Sequence, residues 1–271
     1  MMLAGAGDQA RSSIATYKSI VAYDGTHFEG FQRQAEGRRT VQAVLEIALR
    51  RVGWTEDSLR AAGRTDSGVH ALGQVIAYRL AWRHAADDLT SALNANLPAD
   101  AVVRHTERVT GGFHPRYDAA SRVYAYRIFA DARRHPLRER YAWRVNNPLP
   151  LEKLQAAAGL FVGERDFASF GRPPKLDGST VRTVFAAGWE RSGDEYRFTI
   201  EANAFLYRMV RRIVAACVEV ARGSLSMGEL GALLERPGEV WDGPLAPACG
   251  LCLIEVKYPE ADGDAAIGEA R

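Results

Sequence analysis

One carboxylate in this chain has surroundings suited to chemistry. In Gly63-Arg64-Thr65-Asp66-Ser67-Gly68-Val69-His70, two glycines bracket Asp66, and glycine lets a backbone turn tightly and approach a ligand closely. An opposite charge beside a carboxylate favours the ionised form, which a nucleophile or base requires and a general acid does not. Arg64, two positions away, can supply that charge locally. A second source lies far along the chain in Phe205-Leu206-Tyr207-Arg208-Met209-Val210-Arg211-Arg212, where arginines enter an apolar run. An unpaired charge there would be costly, so Arg211 is expected to meet a carboxylate, with Asp66 the candidate. The residues alone leave a plainer reading open, because an Asx-type turn with a surface ion pair has the same composition.

Other chemistries find no support. The sequence has no P-loop, no zincin helix and no Gly-x-Ser-x-Gly. Gly5-Ala6-Gly7-Asp8-Gln9-Ala10 fits a dinucleotide fingerprint only superficially, since no strand precedes it and no helix follows. Cys249 and Cys252 form a C-x-x-C without a second pair, inside a run that reads as a strand entering a core. No metal site and no cofactor are expected. A hydrolase built from Asp66, Ser67 and His70 fails because residues so close in sequence seldom reach triad geometry on a turn. Tyr124 and Tyr126 share one face of a strand; they suit either cross-strand packing or a platform for stacking a base. Eight arginines between Arg116 and Arg144 face three acidic residues, Asp118, Asp131 and Glu139. That segment reads either as a phosphate-binding stripe or as a solvated surface.

Positioning such residues takes a folded scaffold, and the chain can provide one. Its 271 residues are 47% hydrophobic and 25% charged, ordinary values for a globular protein. The net charge of +2 is too small to reveal a partner by itself. Three cysteines cannot make a disulfide framework, and neither a signal peptide nor a membrane-spanning stretch is present, so a cytoplasmic location is expected.

The pattern predicts strand, helix, strand, strand, helix, strand, twice over. In the first half these are Lys18 to Tyr23, a helix capped by Thr40 and stopped by Gly53, Leu59 to Ala62, Gln74 to Leu80, Leu89 to Leu97, and Val102 to Val109. In the second they are Ser121 to Phe129, Leu151 to Phe161, a hairpin from Arg182 to Ala202 turning at Ser192-Gly193-Asp194, Phe205 to Arg222, and Leu251 to Lys257. A helix at Met227 to Leu234 and the stretch from Pro237 to Pro247 read as insertions before the last strand. The expected class is α+β: two similar ferredoxin-like, RRM-like halves with antiparallel sheets side by side around a central cleft. The expected division is a tail over 1–15, a domain over 16–112 with the Asp66 loop, a domain over 113–259, and a tail over 260–271.

Taken together the motifs resemble one family. Tyr23-Asp24-Gly25, Phe28-Glu29-Gly30-Phe31-Gln32, Thr40-Val41-Gln42 and GRTDSGVHALGQV are similar to the N-terminal half of the TruA family of tRNA pseudouridine synthases. SRVYAYRI, GERDFASFGR, VRTV, FLYRMVRRIV and APACGLCL are similar to its C-terminal half, and the likeness runs from about Tyr17 to Tyr258. The resemblance implies the pseudouridine synthase fold and a cofactor-free isomerase. It implies Asp66 as catalytic aspartate, Tyr124 binding the target uridine, and Arg64 and Arg211 orienting Asp66 or the RNA. It implies tRNA as partner, a homodimer, and action on uridines 38 to 40 of the anticodon stem-loop. Phe31 stands where the family more often has Trp and Ser67 where Ala is common; Arg212, Ala215 and Ala216 stand where the helix usually reads Asn, Gly and a small residue.

Overall fold

Strand by strand, the chain lays down the same topology twice. The computed structural model describes residues 13–35, 37–174, 177–236 and 241–259. The glycine-rich stretch at 5–10, the expected tail over 260–271 and residues 237–240 of the Pro-rich insertion lie outside them. The first half runs β1 (Ile14–Tyr23), α1 (Val41–Arg51), β2 (Arg60–Ala61), β3 (His70–Ala81), α2 (Ala86–Asn94) and β4 (Ala101–Val109). The second runs β5 (Ser121–Ala130), α3 (Pro136–Glu139), β6 (Trp143–Val145), α4 (Leu151–Gly159), β7 (Gly163–Asp166), β8 (Val181–Ser192), β9 (Glu195–Ala202), α5 (Met209–Arg222), α6 (Met227–Glu235) and β10 (Leu251–Lys257). In the first half β4, β1 and β3 lie in that order with β2 on the far edge of β3; in the second, β10, β5, β9 and β8 repeat it. Both orders are those of a split β-α-β unit.

The two expected sheets are in fact one. β10 pairs in parallel with β3, Cys252 opposite His70 and Leu253 opposite Ala71, and antiparallel with β5, so a single sheet runs β4-β1-β3-β10-β5-β9-β8-β7. This join explains why β3 starts at His70 rather than Gln74: β10 satisfies backbone groups that would otherwise be an open edge. β2, by contrast, is only two residues long, because β10 and β2 share one edge of β3. Alternation then sorts the side chains. Tyr124, Tyr126 and Ile128 point to the helical side and are buried, as are Leu251 and Leu253 of β10. Ala125, Arg127, Cys252 and Ile254 line the other face.

Two helix boundaries differ from expectation for local reasons. α2 begins at Ala86 because Asp88 Oδ2 accepts from the Ala85 amide at 3.2 Å, and it ends at Asn94, whose side chain exchanges two 2.8 Å bonds with the Val103 backbone. α5 begins at Met209, not Phe205, because the Tyr207 amide donates to Arg172 O at 2.9 Å and Arg208 adopts a left-handed φ of 63°. The rest of α5 is strongly amphipathic, burying Ile213, Val214, Cys217 and Val218. Gly223, at φ 83°, ends the helix.

Candidate active site

The Asp66 loop joins β2 to β3 and is held on one side by the segment after β1. The Phe31 amide donates to Thr65 O at 3.0 Å, the Gly68 amide to Phe28 O at 3.3 Å, and Ser67 Oγ to the same oxygen at 3.2 Å. The Tyr23 hydroxyl shares a 2.8 Å hydrogen bond with Thr65 Oγ1. Packing this close needs glycine: a Cβ on Gly25 would lie 2.1 Å from Val69 O, and Gly30, at φ 91°, sits against the Thr65 carbonyl. The cradle is itself anchored, because Gly30 O and Phe31 O accept the first amides of α1, which otherwise lack partners. Thr40 caps the same helix, as its sequence position predicts.

From the second half, α5 supplies the counter-charge. Arg211 Nη1 donates to Asp66 Oδ2 at 3.0 Å, and its Nε donates to Ala246 O at 2.7 Å. The expected meeting of Arg211 and Asp66 is therefore present, with both side chains largely shielded at 13% and 19% exposure. Arg64 makes no ion pair with Asp66; its side chain is exposed at the rim. The segment 246–250 completes the wall. Tyr126 donates from its hydroxyl to Pro247 O at 2.7 Å, and a Cβ on Gly250 would lie 2.6 Å from the Tyr126 ring. Sequence reasoning did not assign this segment a role, and its Pro and Gly were the available signal.

Tyr124 lies on the same helical side, 9% exposed, its ring edge-on to Phe205 at 5.0 Å. Burial pushes its phenol well above the usual tyrosine range, and nearby Tyr23 and Asp66 add to that push while Arg122 opposes it. The Tyr124 hydroxyl is thus a neutral donor close enough to Asp66 to feel its charge. It has no hydrogen-bond partner among the described residues and is not one of the fully buried atoms left without one, so water or a ligand can reach it. Together the residues offer one carboxylate held by a guanidinium, a neutral phenol, and apolar walls.

Elsewhere the sequence expectations divide. A cavity of about 620 Å³ opens on the opposite face of the sheet, lined among others by Asp24, His70, Tyr141, Cys249 and Cys252, and Asp66 is not part of it. The two cysteines, expected as core residues, are partly exposed there; only Cys217 is buried. His70 accepts the Gly25 amide on Nδ1 at 3.0 Å, and burial lowers its pKa against the raising effect of Asp24. The imidazole is therefore neutral, and its 3.2 Å approach to Asp24 is not an ion pair. Ser67 and His70 serve the backbone rather than each other, so no triad forms. Among the described residues no group of three or more His, Cys, Asp or Glu could hold a metal ion.

The arginine segment is more structural than its composition suggests. Arg127, Arg134, Arg138, Arg140 and Arg144 pair with Glu195, Glu139, Asp194, Asp24 and Glu139 respectively. Arg122 is consumed by four carbonyls, including Ala62 O at the entry to the Asp66 loop. Among the described residues, Arg116 and Arg133 of that run have guanidiniums with neither a carboxylate nor a carbonyl partner, and Arg122 has carbonyls alone.

A loop carboxylate of one half is thus held by an arginine of the other, within an α+β fold built from two copies of one topology. The chain matches the model of the tRNA pseudouridine synthase family over residues 20–118 and 157–259, and it belongs to that family. Arg64, Asp66 and Arg211 fall inside the matched residues and Tyr124 between them. Among curated relatives, tRNA pseudouridine synthase A of Brevibacillus brevis is 41% identical over 241 residues, covering 89% of this chain and 98% of that one. The Geobacter sulfurreducens protein of the same name is 39% identical over 90% of this chain and 100% of its own. That of Neisseria gonorrhoeae is 38% identical, over 90% and 92%.

Proposed function

We propose that the protein isomerises uridine to pseudouridine in the anticodon stem-loop of tRNA, with Asp66 as the catalytic carboxylate. The observation that carries this reading is the largely shielded Arg211–Asp66 pair, to which each half contributes one residue. Such a pair holds the carboxylate in one orientation, as a nucleophile or base must be held. The reaction breaks the bond from N1 to C1′, turns the base, and forms a bond from C5 to C1′; C5 loses a proton and N1 gains one. Atoms and electrons balance, so the rearrangement runs without a cofactor. Asp66 can serve it by attacking C1′, by attacking C6, or by removing a sugar proton.

The target must leave the base stack to reach a shielded carboxylate. Tyr124 and Phe205 offer an apolar wall for it, and the free Tyr124 hydroxyl a donor. Arg64, exposed at the rim, serves as an RNA contact rather than as partner to Asp66. The domain division at 16–112 and 113–259, the homodimer and the cytoplasmic address belong to the same reading. No helix among the described residues is long and apolar enough to cross a membrane. The test is incubation of the purified protein with unmodified tRNA transcripts carrying 5-tritiated uridine: conversion releases tritium from C5. Tight tRNA binding with no release would leave an RNA-binding protein instead.

A further inference from the structure

Three guanidiniums gather at the start of α5 with no carboxylate to neutralise them. Arg208 and Arg212 are one helical turn apart and share a face, the Arg212 amide donating to Arg208 O at 3.1 Å. Arg172 arrives from another direction, its segment bridged antiparallel to Tyr207. Among the described residues none of the three has an acidic group within the 4.0 Å of an ion pair, whereas most arginines of the 116–144 run do. Partial burial, then the charges of Arg208 and Arg172, hold the Arg212 guanidinium below its ordinary pKa. Like charges brought together in this way favour an anion as the missing partner.

The backbone points to the same use. Arg208 is the one non-glycine residue with positive φ among those described, at 63°. Glycine would take that conformation without strain, so an arginine there needs a reason beyond the turn itself. Its guanidinium lies 4.8 Å from the centre of the Tyr207 ring, which is 51% exposed. A cation beside an exposed ring can hold a phosphate next to a stacked base. The location fits: Arg211, between Arg208 and Arg212 in sequence, is the residue that holds Asp66.

We propose that Arg172, Arg208 and Arg212 clamp one backbone phosphodiester of the bound RNA close to the reacting nucleotide, with Tyr207 stacking on an adjacent base. The proposal rests on the tRNA reading above. It is tested on the full chain with Arg172→Gln, Arg208→Gln and Arg212→Asn combined, and with a second variant carrying lysine at all three positions. Affinity for an unmodified tRNA transcript is measured across a potassium chloride series. The charge-removing variant should lose about 0.7–0.9 from the slope of log affinity against log salt for each phosphate contact given up, and the lysine variant should retain the wild-type slope. Ethylation of individual RNA phosphates should reveal a site that blocks the wild type but not the charge-removing variant. Equal slopes and identical ethylation patterns would overturn the clamp. If the triple variant does not fold, Arg212→Asn alone gives the same readout. Both measurements report binding, not turnover: flattened slopes without tritium release by the wild type would sink the isomerase and leave the clamp, and the reverse result would do the opposite.

Discussion

Arg211 reaches Asp66 across 145 residues of sequence, Nη1 to Oδ2 at 3.0 Å, and is the ion pair that ties α5 to the Asp66 loop. The same guanidinium holds Ala246 O, so it fixes both the carboxylate and the wall beside it. Arg211→Leu should cost about 1–3 kcal/mol of stability through groups left unpaired. It should also lower kcat more than it raises KM, because the carboxylate loses its aim. Urea denaturation and steady-state kinetics on one transcript check both, and an unchanged kcat in a folded variant would remove Arg211 from the reaction.

Asp66→Asn keeps the size of the side chain and its bond from Arg211, but not the charge. The loop is held by backbone bonds from Phe31 and Gly68, none of which uses the carboxylate. The variant should therefore fold, bind tRNA near the wild-type affinity and release no tritium above background. Turnover within a few-fold of wild type would assign the chemistry elsewhere.

Tyr124 separates ring from hydroxyl. Tyr124→Phe retains the contact with Phe205 and should bind tRNA normally while turning over slowly. Tyr124→Leu should in addition lose stacking worth roughly 1–3 kcal/mol of binding. Full activity in the Phe variant, with a Leu variant that only unfolds, would make Tyr124 a core residue.

Buried phenols also set an alkaline limit. In the unfolded chain they ionise near 10.0; in the fold burial raises Tyr78 to about 12, and lifts Tyr23 and Tyr124 as well. Above the unfolded value the unfolded chain sheds protons that the fold retains, so stability is complete below pH 10 and falls as pH rises beyond it. Urea midpoints should drop steadily between about pH 10 and about pH 12, and less so in Tyr78→Phe. A flat midpoint across that range would mean the phenols ionise within the fold.

Much of this was legible in the sequence because periodicity and turn residues act locally. The Thr40 cap, the 192–194 turn and the strand Leu251–Lys257 needed no tertiary information. The pairing of Arg211 with Asp66 was legible for a different reason, the cost of an unpaired charge in an apolar run. What stayed hidden was long-range. No local pattern says that β10 will lie beside β3 and merge two sheets, or that Arg127, Arg138 and Arg140 will find carboxylates outside the 116–144 run, at Glu195, Asp194 and Asp24. The start of α5 was misplaced because the Arg172–Tyr207 bridge, 35 residues long in sequence, overrides helix propensity at Phe205 to Arg208.

Gly68 offers a way to move the loop without touching the chemistry. It sits two residues after Asp66 at φ 79°, and a Cβ there would stand 3.2 Å from the Ala248 side chain. Ala248 belongs to the same 246–250 segment that Arg211 and Tyr126 hold in place, so the loop and that wall meet at this point. Gly68→Ala must either accept a left-handed conformation, at roughly 1–2 kcal/mol, or rotate the peptide and carry Asp66 away from Arg211. The first outcome lowers stability and spares kcat; the second lowers kcat by far more than stability. Because the Gly68 amide is tied to Phe28 O at 3.3 Å and both neighbouring segments are anchored, we expect the strain to be stored rather than relieved. The urea midpoint should therefore fall by an amount equivalent to about 1–2 kcal/mol, with kcat reduced only a few-fold. A stable Gly68→Ala protein with turnover abolished would show instead that the loop is free to shift, and that Asp66 is aimed by Gly68 more than by Arg211.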